Sequence, residues 1–416
     1  MTTRPRTNWA GNIAFGAPDF YRPSSLGELQ AVVARAPRIR VLATGHSFND
    51  MADSPGAQVT LAGLPAEISV DSSRSVARVA AGLSYAEVAA RLNSEGFALR
   101  NLASLPHISV AGACATATHG SGAGQQNLAS AVVGLTLVTA AGDVVELAGD
   151  DGAVVHLGAL GILVSLDLAL VPSFEISQRV YEDLPLSNLT NHFTDVMTSA
   201  YSVSLFTDWR APRLTQLWFK QDPGDPPPVT TEPWFTATPA LSARNPVPGG
   251  SPEACTEQLG VPGRWYERLP HFRPEFKPSA GDELQSEYLL PVAQAVPALH
   301  ALNEIRDRLA PVLRICEVRV IAGDSRWLST CYHRDSVAFH FTWIADPASV
   351  LPVVTDLERQ LAPFAPRPHW GKVFTTPPEE IRSSYERLPD FLDLMQHYDP
   401  AGKFRNPYTA RNLAPQ

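Results

Sequence analysis

From Ala103 to Gly124 the chain reads ASLPHISVAGACATATHGSGAG, a stretch in which nearly every residue is small. Small side chains let backbone approach a bound molecule, or other backbone, very closely. A stretch of this length therefore selects folds in which main chain lines a tight interior surface. Its successive N–H groups can receive a pyrophosphate as nests and glycine loops do, although close packing of small residues is the plain alternative at this point. The stretch is not a GxGxxG loop following a strand, and the chain has no GxxxxGK[ST]. Neither a Rossmann dinucleotide site nor a P-loop is supported.

The surroundings alternate helix and strand signals as far as about residue 170. Ser25 with Glu28, and Ser84 with Glu87, have capping-box spacing, and Gly96 stands where the second helix should stop. IRVLA, from Ile39 to Ala43, reads as a strand that ends abruptly in Gly45, His46 and Ser47. AVVGLTLVTAAGDVVEL predicts a hairpin turning at Gly142 and Asp143, and GALGILVSLDLALV predicts a strand pair or one long strand. A domain closes near Pro172. Beyond Glu175 the strands are SVSLFTDW, LTQLWFK, ELQSEYLL, ICEVRVIAG and SVAFHFTWIAD, with a helix ending in IRDRLAP. The Pro-rich insert from Asp222 to Pro252 predicts a long surface excursion, and DPAGKFRNPYTARN near the end carries little core pattern. No internal repeat is present.

Strand periodicity exposes the candidate chemistry. In ICEVRVI, Glu317 and Arg319 share a face with Ile315 and Ile321, and Cys316, Val318 and Val320 take the other. In VAFHFTW, His340 and Thr342 share one face, opposite Phe339, Phe341 and Trp343. Polar groups on interior strands are costly unless paired with each other or with a ligand, so a salt-bridged solvated face and a polar cavity both remain open. PHWGK adds His369 and Lys372, and VLATGHSFND sets His46 at a strand end, where a hydrogen-bonded structural histidine is the bland reading.

With 416 residues, 44% of them hydrophobic and 18% charged, the chain has room for two or more domains and a cleft between them. The 33 Lys and Arg against 42 Asp and Glu give a net charge of −9 with no basic tract, which argues against nucleic acid or an anionic membrane as partner. The N-terminal residues lack a secretory apolar core, and no run approaches the roughly 18 apolar residues of a membrane helix. A cytoplasmic protein is the expectation, with its four scattered cysteines reduced. Neither CxxC spacing nor grouped Cys and His points to a metal.

Taken together, TNWAGN, VLATGHSFND, ASLPHISVAGACATATHGSG, SLFTDWR, PHFRPEF, CEVR, HFTW, PHWGK and DPAGKF occur in an order that spans nearly the whole chain. The set resembles the bacterial alditol (xylitol) oxidases within the vanillyl-alcohol-oxidase flavoprotein family. That resemblance implies an α+β fold, with a two-part FAD-binding domain over 1–174 and a cap on a large antiparallel sheet over 175–375. A C-terminal return to the FAD domain follows over 376–416. It further implies FAD carried covalently by His46. Flavin and pyrophosphate contacts are expected from Val41, Leu42, Ala43, Thr44, Gly45, His46, Ser47, Ser104, Ser109, Gly112, Ala113, Ala115, Thr116 and His119, with Gly161 and Ile162 on the adenine side. Glu317, Arg319, His340, Thr342 and Lys372, joined by Ser104, match the cluster that holds a polyol. The implied reaction oxidises the C1 hydroxyl of an alditol such as xylitol or sorbitol, with O2 reduced to H2O2. Within it Arg319 and Lys372 favour the alkoxide, His340 receives the proton, and Glu317 orients Arg319. Sugar-1,4-lactone oxidases or dehydrogenases are the nearest alternative, and a flavin-carrying polyol sensor without turnover is a remoter one.

Overall fold

A computed structural model describes residues 6–149, 152–222, 236–276 and 282–414. The chain opens with a parallel three-stranded sheet of β1 (Asp19–Tyr21), β2 (Ile39–Val41) and β3 (Ala57–Val59) in the order β1-β3-β2. Helix α1 (Leu26–Arg35) joins the first two strands and buries Leu29 and Val33. Its predicted capping box closes by half. Ser25 Oγ accepts the Glu28 N–H at 3.2 Å, but the Glu28 carboxylate turns to the backbone and hydroxyl of Ser24. Helix α2 (Tyr85–Ser94) carries the complete box of Ser84 and Glu87, and Gly96 ends it at φ +84°.

A five-stranded antiparallel sheet follows, built from β4 (Ile68–Asp71), β5 (Val76–Ala80), β6 (Val132–Val138), β7 (Val144–Ala148) and β8 (Ile162–Ala169). Its order is β4-β5-β8-β6-β7. The β6–β7 hairpin turns at Gly142, φ +92°, as its sequence predicts. GALGILVSLDLALV resolves into β8 and a short continuation, Val171–Pro172, that pairs elsewhere with Phe97–Ala98. Between α2 and β6, the small-residue stretch folds into the short helix α3 (Val110–Ala115) and flanking loops.

The larger sheet contains β9 (Glu175–Pro185), β10 (Ser202–Thr207), β11 (Arg213–Gln221), β12 (Glu283–Pro291), β13 (Leu313–Ile321) and β14 (Ser336–Ile344). These run antiparallel in the order β9-β11-β10-β13-β14-β12, with Thr238–Pro239 and Arg367–Pro368 as short edges. Alternation splits the sheet as the sequence predicts. Cys316, Val318, Val320, Phe339, Phe341 and Trp343 enter one apolar core, where α4 (Ala295–Glu304) and α5 (Pro347–Leu361) cover them. Burying each large side chain there contributes roughly 1.5–3 kcal/mol. The opposite face turns its polar residues toward the first two sheets.

One expectation is corrected and another is narrowed. The end of the chain is core after all: Phe391 and Met395 of α6 (Leu388–Tyr398), Phe404, and Tyr408 of α7 (Pro407–Asn412) join the apolar cluster of Leu29, Ile39 and Val59. Polar anchors complete the docking. The Lys403 ammonium donates to the Val33 carbonyl at 2.6 Å and the Ala34 carbonyl at 3.2 Å, satisfying the open end of α1. The Pro-rich insert lies partly outside the described residues, at 223–235; of the rest, residues 241–243 and 248–252 are exposed, as a surface excursion requires, while Asn245, Pro246 and Val247 dip inward at the rim of an interior cavity. Val247 packs toward Trp218 and Ile315, which draws that short stretch in. Among the described residues no helix is long and apolar enough to cross a membrane.

A candidate active site between the sheets

A cavity of about 710 Å³ lies between the polar face of the large sheet and the loops that follow β2 and surround α3. Its first wall is the peptide from Ala43 to Ser47. The Trp9 N–H donates to the Gly45 carbonyl at 2.8 Å, and the Phe48 N–H donates to the Gly371 carbonyl at 2.7 Å. Gly45 sits at φ +69°, where a side chain would be strained. The backbone N–H groups of Thr44, Gly45, His46 and Ser47 find no acceptor among the described residues, an arrangement suited to an anionic ligand. The Trp9 indole stacks on His46 with centroids 5.3 Å apart, and His46 Nδ1 is buried without a partner. Burial, with the nearby Lys372 charge, pushes this imidazole down to about 4, so it is neutral.

The second wall is α3 and its approach. Ser109 Oγ accepts the Gly112 N–H at 3.3 Å, and the Ser109 N–H donates to Thr44 Oγ1 at 3.3 Å, tying this turn to the first wall. A Cβ on Gly112 would meet Ser109 Oγ at 2.8 Å, so the cap requires glycine there. At the far end His156 Nδ1 accepts the Gly158 N–H at 3.0 Å, which leaves its proton on Nε2, buried and without an acceptor. Beside it lies the fully buried Arg40, whose guanidinium donates only to carbonyls, those of Met51, Leu157, Gly158 and Phe404. Burial lowers it to about 10.

The third wall is a ladder of polar residues from adjacent strands. Strand register sets Glu317 of β13 opposite His340 of β14, His340 opposite Glu287 of β12, and Thr342 opposite Gln285. Opposed Cβ atoms in antiparallel strands are about 5 Å apart, so these side chains meet. The Arg319 guanidinium donates through Nη2 to Glu287 Oε1 at 2.5 Å, while its Nε stands 3.6 Å from Glu317 Oε1. Glu317 is engaged by His271 Nε2 at 2.8 Å, and the backbone N–H groups of His271 and Phe272 reach the Ser104 carbonyl at 3.2 and 3.3 Å. His340 Nε2 lies 3.5 Å from Thr342 Oγ1, and Arg319 Nη1 lies 3.5 Å from Ser104 Oγ. Lys372 bonds to Gln285 Oε1, and its ammonium stands 5.1 Å from the Phe48 ring centre.

Burial alone would raise the Glu317 carboxyl, but Arg319 and His271 overrule it and hold it well below the carboxylate range. Burial lowers Lys372 to about 8 and His369 to about 3. His340 is also lowered, first by burial and then by Lys372 and Arg319, against the opposing pull of Glu287. The arrangement thus offers a neutral imidazole, two cations and several fixed donors and acceptors to one guest. It suits a molecule with many hydroxyls.

Of the residues singled out in the sequence, Glu317, Arg319, His340, Thr342, Lys372 and Ser104 all line the cavity. So do the proposed cofactor contacts from Val41 to Thr116, with the exception of Leu42. Gly161 lines it but Ile162 does not, since Ile162 turns into the core of the first unit. His119 sits with the ladder, its Nε2 3.1 Å from Glu287 Oε1, rather than along the first wall. Arg319 makes its hydrogen bond to Glu287, and its contact with Glu317 is a longer ion pair. Glu287, Gln285 and His271 were missed in the sequence. The period of two in ELQSEYLL, which alternates Glu283, Gln285 and Glu287 with Leu284, Ser286 and Tyr288, carried the signal for the first two.

Comparison with known proteins identifies the family. The family model described as an FAD binding domain matches residues 19–148, and that of D-arabinono-1,4-lactone oxidase matches residues 282–412. The chain is 51% identical to an alditol oxidase from a Streptomyces species over 97% of either chain. It is 29% identical to an L-gulono-1,4-lactone dehydrogenase from Mycobacterium tuberculosis, over 98% of this chain and 99% of that one. Among solved structures, a solvent-stable cholesterol oxidase superposes with a TM-score of 0.79 at 14% identity, covering 98% of this chain and 97% of that one. The cholesterol oxidase of Brevibacterium sterolicum gives 0.78 at 13% identity, covering 98% and 96%. These two share the fold alone. An FAD-binding unit joined to a large antiparallel sheet across a cavity defines an FAD-dependent oxidoreductase of the vanillyl-alcohol-oxidase type. Within that class, the chain belongs to the alditol oxidase family.

Proposed function

We propose that the cavity oxidises the terminal C1 hydroxyl of an alditol such as xylitol or sorbitol to the aldose, with O2 as acceptor and H2O2 as product. The observation that carries this reading is the buried ladder of Glu317, Arg319, His340, Thr342 and Lys372 facing the His46 loop across one cavity. The residues present fit FAD. Unpaired backbone N–H groups at 44–47 suit its pyrophosphate, and the buried unpartnered Nδ1 of His46 and Nε2 of His156 mark places for a ligand atom. When bound, FAD supplies a two-electron acceptor that takes hydride from carbon and returns the electrons to O2.

His46 is neutral and steadied by Trp9, and is our candidate for the covalent attachment of the flavin. Arg319 and Lys372 hold the reacting hydroxyl and favour its alkoxide character. His340 receives the hydroxyl proton on Nε2. Thr342, Glu317 and Ser104 bind further hydroxyls and set the carbon chain in one register. The expected division of labour places the cofactor on residues 1–174 and 376–416, and the polyol on residues 175–375. A cytoplasmic setting suits a chain with four buried free thiols.

Oxygen uptake by the purified protein, measured in parallel with xylitol and with an aldono-1,4-lactone, tests the reading. Rapid uptake with xylitol and release of peroxide are expected. Uptake with the lactone alone would move the substrate to the sister class and refute the proposal.

A further inference from the structure

Glu287 is among the most enclosed carboxylates of the cavity, 3% exposed, and holding Arg319 occupies only one of its oxygens. Its two oxygens face different groups. Oε1 accepts from Arg319 Nη2 at 2.5 Å and lies 3.1 Å from His119 Nε2, whereas Oε2 lies 3.3 Å from His340 Nδ1, a buried ring nitrogen in ion-pair range of the carboxylate that has no aligned hydrogen-bond partner. His119 is steadied in turn by its Nδ1 contact with the Gly120 carbonyl at 2.9 Å. The other carboxylate near His340, Glu317, is already engaged by His271 and Arg319. The groups facing this pair from every side are Arg319 of β13, His119 after α3, and His369 and Lys372 of the loop after α5, with Glu283 and Gln285 on the same strand.

A carboxylate that faces one ring nitrogen of a neutral imidazole favours the tautomer with its proton on that nitrogen. We infer that Glu287 is a positioning residue for the proton acceptor: it fixes His340 with the proton on Nδ1 and the bare Nε2 beside Thr342, ready for the substrate hydroxyl. This rests on the reading of the cavity as the site of alditol oxidation. In that step the O–H bond breaks and its proton joins Nε2, the C1 hydride leaves to the oxidant, and the aldehyde remains. Glu287 takes no proton. It stabilises the imidazolium that forms, while Arg319 keeps the carboxylate aimed. Alternation along β12 places the carboxylate on the ligand face, and the strand pairing fixes its distance from the ring.

The test uses the flavin-loaded holoenzyme and its E287Q variant. Nitrogen NMR of histidine-labelled protein, with His340 assigned by difference against H340Q, reads the tautomer without any substrate. In the wild type the Nδ1 signal should be that of a protonated nitrogen and the Nε2 signal that of a bare one, and E287Q should mix the two. Anaerobic flavin reduction by xylitol should be about 100-fold slower in E287Q with little change in apparent substrate affinity. Removing the anion lowers the affinity of His340 for protons, so the acid limb of the rate profile should move to lower pH. E287D, with a shorter carboxylate, should recover part of the rate. A wild-type spectrum with the proton on Nε2, or a folded E287Q that keeps both rate and acid limb, would overturn the inference. If xylitol and other alditols fail to reduce the wild-type flavin while the predicted tautomer is seen and is lost in E287Q, the functional reading falls and the positioning of His340 by Glu287 stands.

Discussion

Lys372→Met removes a charge from the cavity while keeping most of the side-chain stem. The ammonium it deletes bonds to Gln285 and lies 5.1 Å from the Phe48 ring centre, in a place where burial brings it down to about 8. A unit charge about 4 Å from a developing alkoxide, at an effective dielectric of about 20, contributes about 4 kcal/mol. That corresponds to roughly a thousandfold in rate. Arg319 stays in place and compensates in part, so anaerobic flavin reduction by xylitol should slow by about 10² to 10³. The pH dependence has a definite sign. Lys372 is charged below about 8, so wild-type reduction should fall as pH rises through that value, and the methionine variant should lack this limb. A variant that reduced its flavin within about threefold of the wild type, or that kept the alkaline limb, would refute the assignment of Lys372 to the alkoxide.

His46→Ala should leave no flavin attached to the denatured chain, read by in-gel fluorescence and intact mass, and a retained covalent adduct would remove His46 from that role. His156 and His369 are buried and neutral, with folded values of about 4 and about 3, below the ordinary histidine value of 6.5. Their contribution to stability is complete above 6.5 and is lost as pH falls toward the folded values, by about 3 kcal/mol for His156. Urea midpoints measured between pH 7 and 4 should therefore decline, less steeply in His156→Phe, and parallel curves for the two proteins would count against the buried neutral state. Glu317→Gln keeps the bulk but weakens the contact with His271, so a loss of about 1–3 kcal/mol in denaturant stability should accompany weaker xylitol binding.

Much of this organisation was legible because local rules were obeyed. The box of Ser84 and Glu87, the turn at Gly142, and the period of two in β13 and β14 each follow from backbone geometry over a few residues. What failed depended on contacts distant in sequence. DPAGKFRNPYTARN showed little core pattern because Phe404 and Tyr408 are buried by elements hundreds of residues earlier, and Lys403 finds its acceptors at the end of α1. The inward dip of Asn245, Pro246 and Val247 within an otherwise exposed insert was not legible, because proline and glycine signal loops without saying what a loop packs against. His271 gave no periodic signal at all: it lies in an irregular segment, and only the fold carries it to Glu317. Glu287 was visible as an alternating polar residue, yet the partner for Arg319 cannot be chosen until strand order places β14 between β12 and β13.

Strand order also bears on substrate choice. Because β13, β14 and β12 are neighbours, their inward polar residues form rows across the sheet as well as along each strand, and the donors and acceptors are spread over a surface instead of gathered at one point. An extended polyol with a hydroxyl on each carbon can satisfy several of them at once. A molecule lacking an interior hydroxyl would leave a polar atom of buried Thr342 or Glu317, or of half-buried Ser104, unpaired, at a cost of about 1–3 kcal/mol. A deoxy analogue of xylitol with its C1 end intact should therefore show a kcat/KM lower by about 5- to 150-fold, even though the reacting carbon is unchanged. Flavin reduction by the analogue at the xylitol rate and affinity would mean that the ladder does not read the chain, and that C1 contacts with Arg319 and Lys372 alone select the substrate.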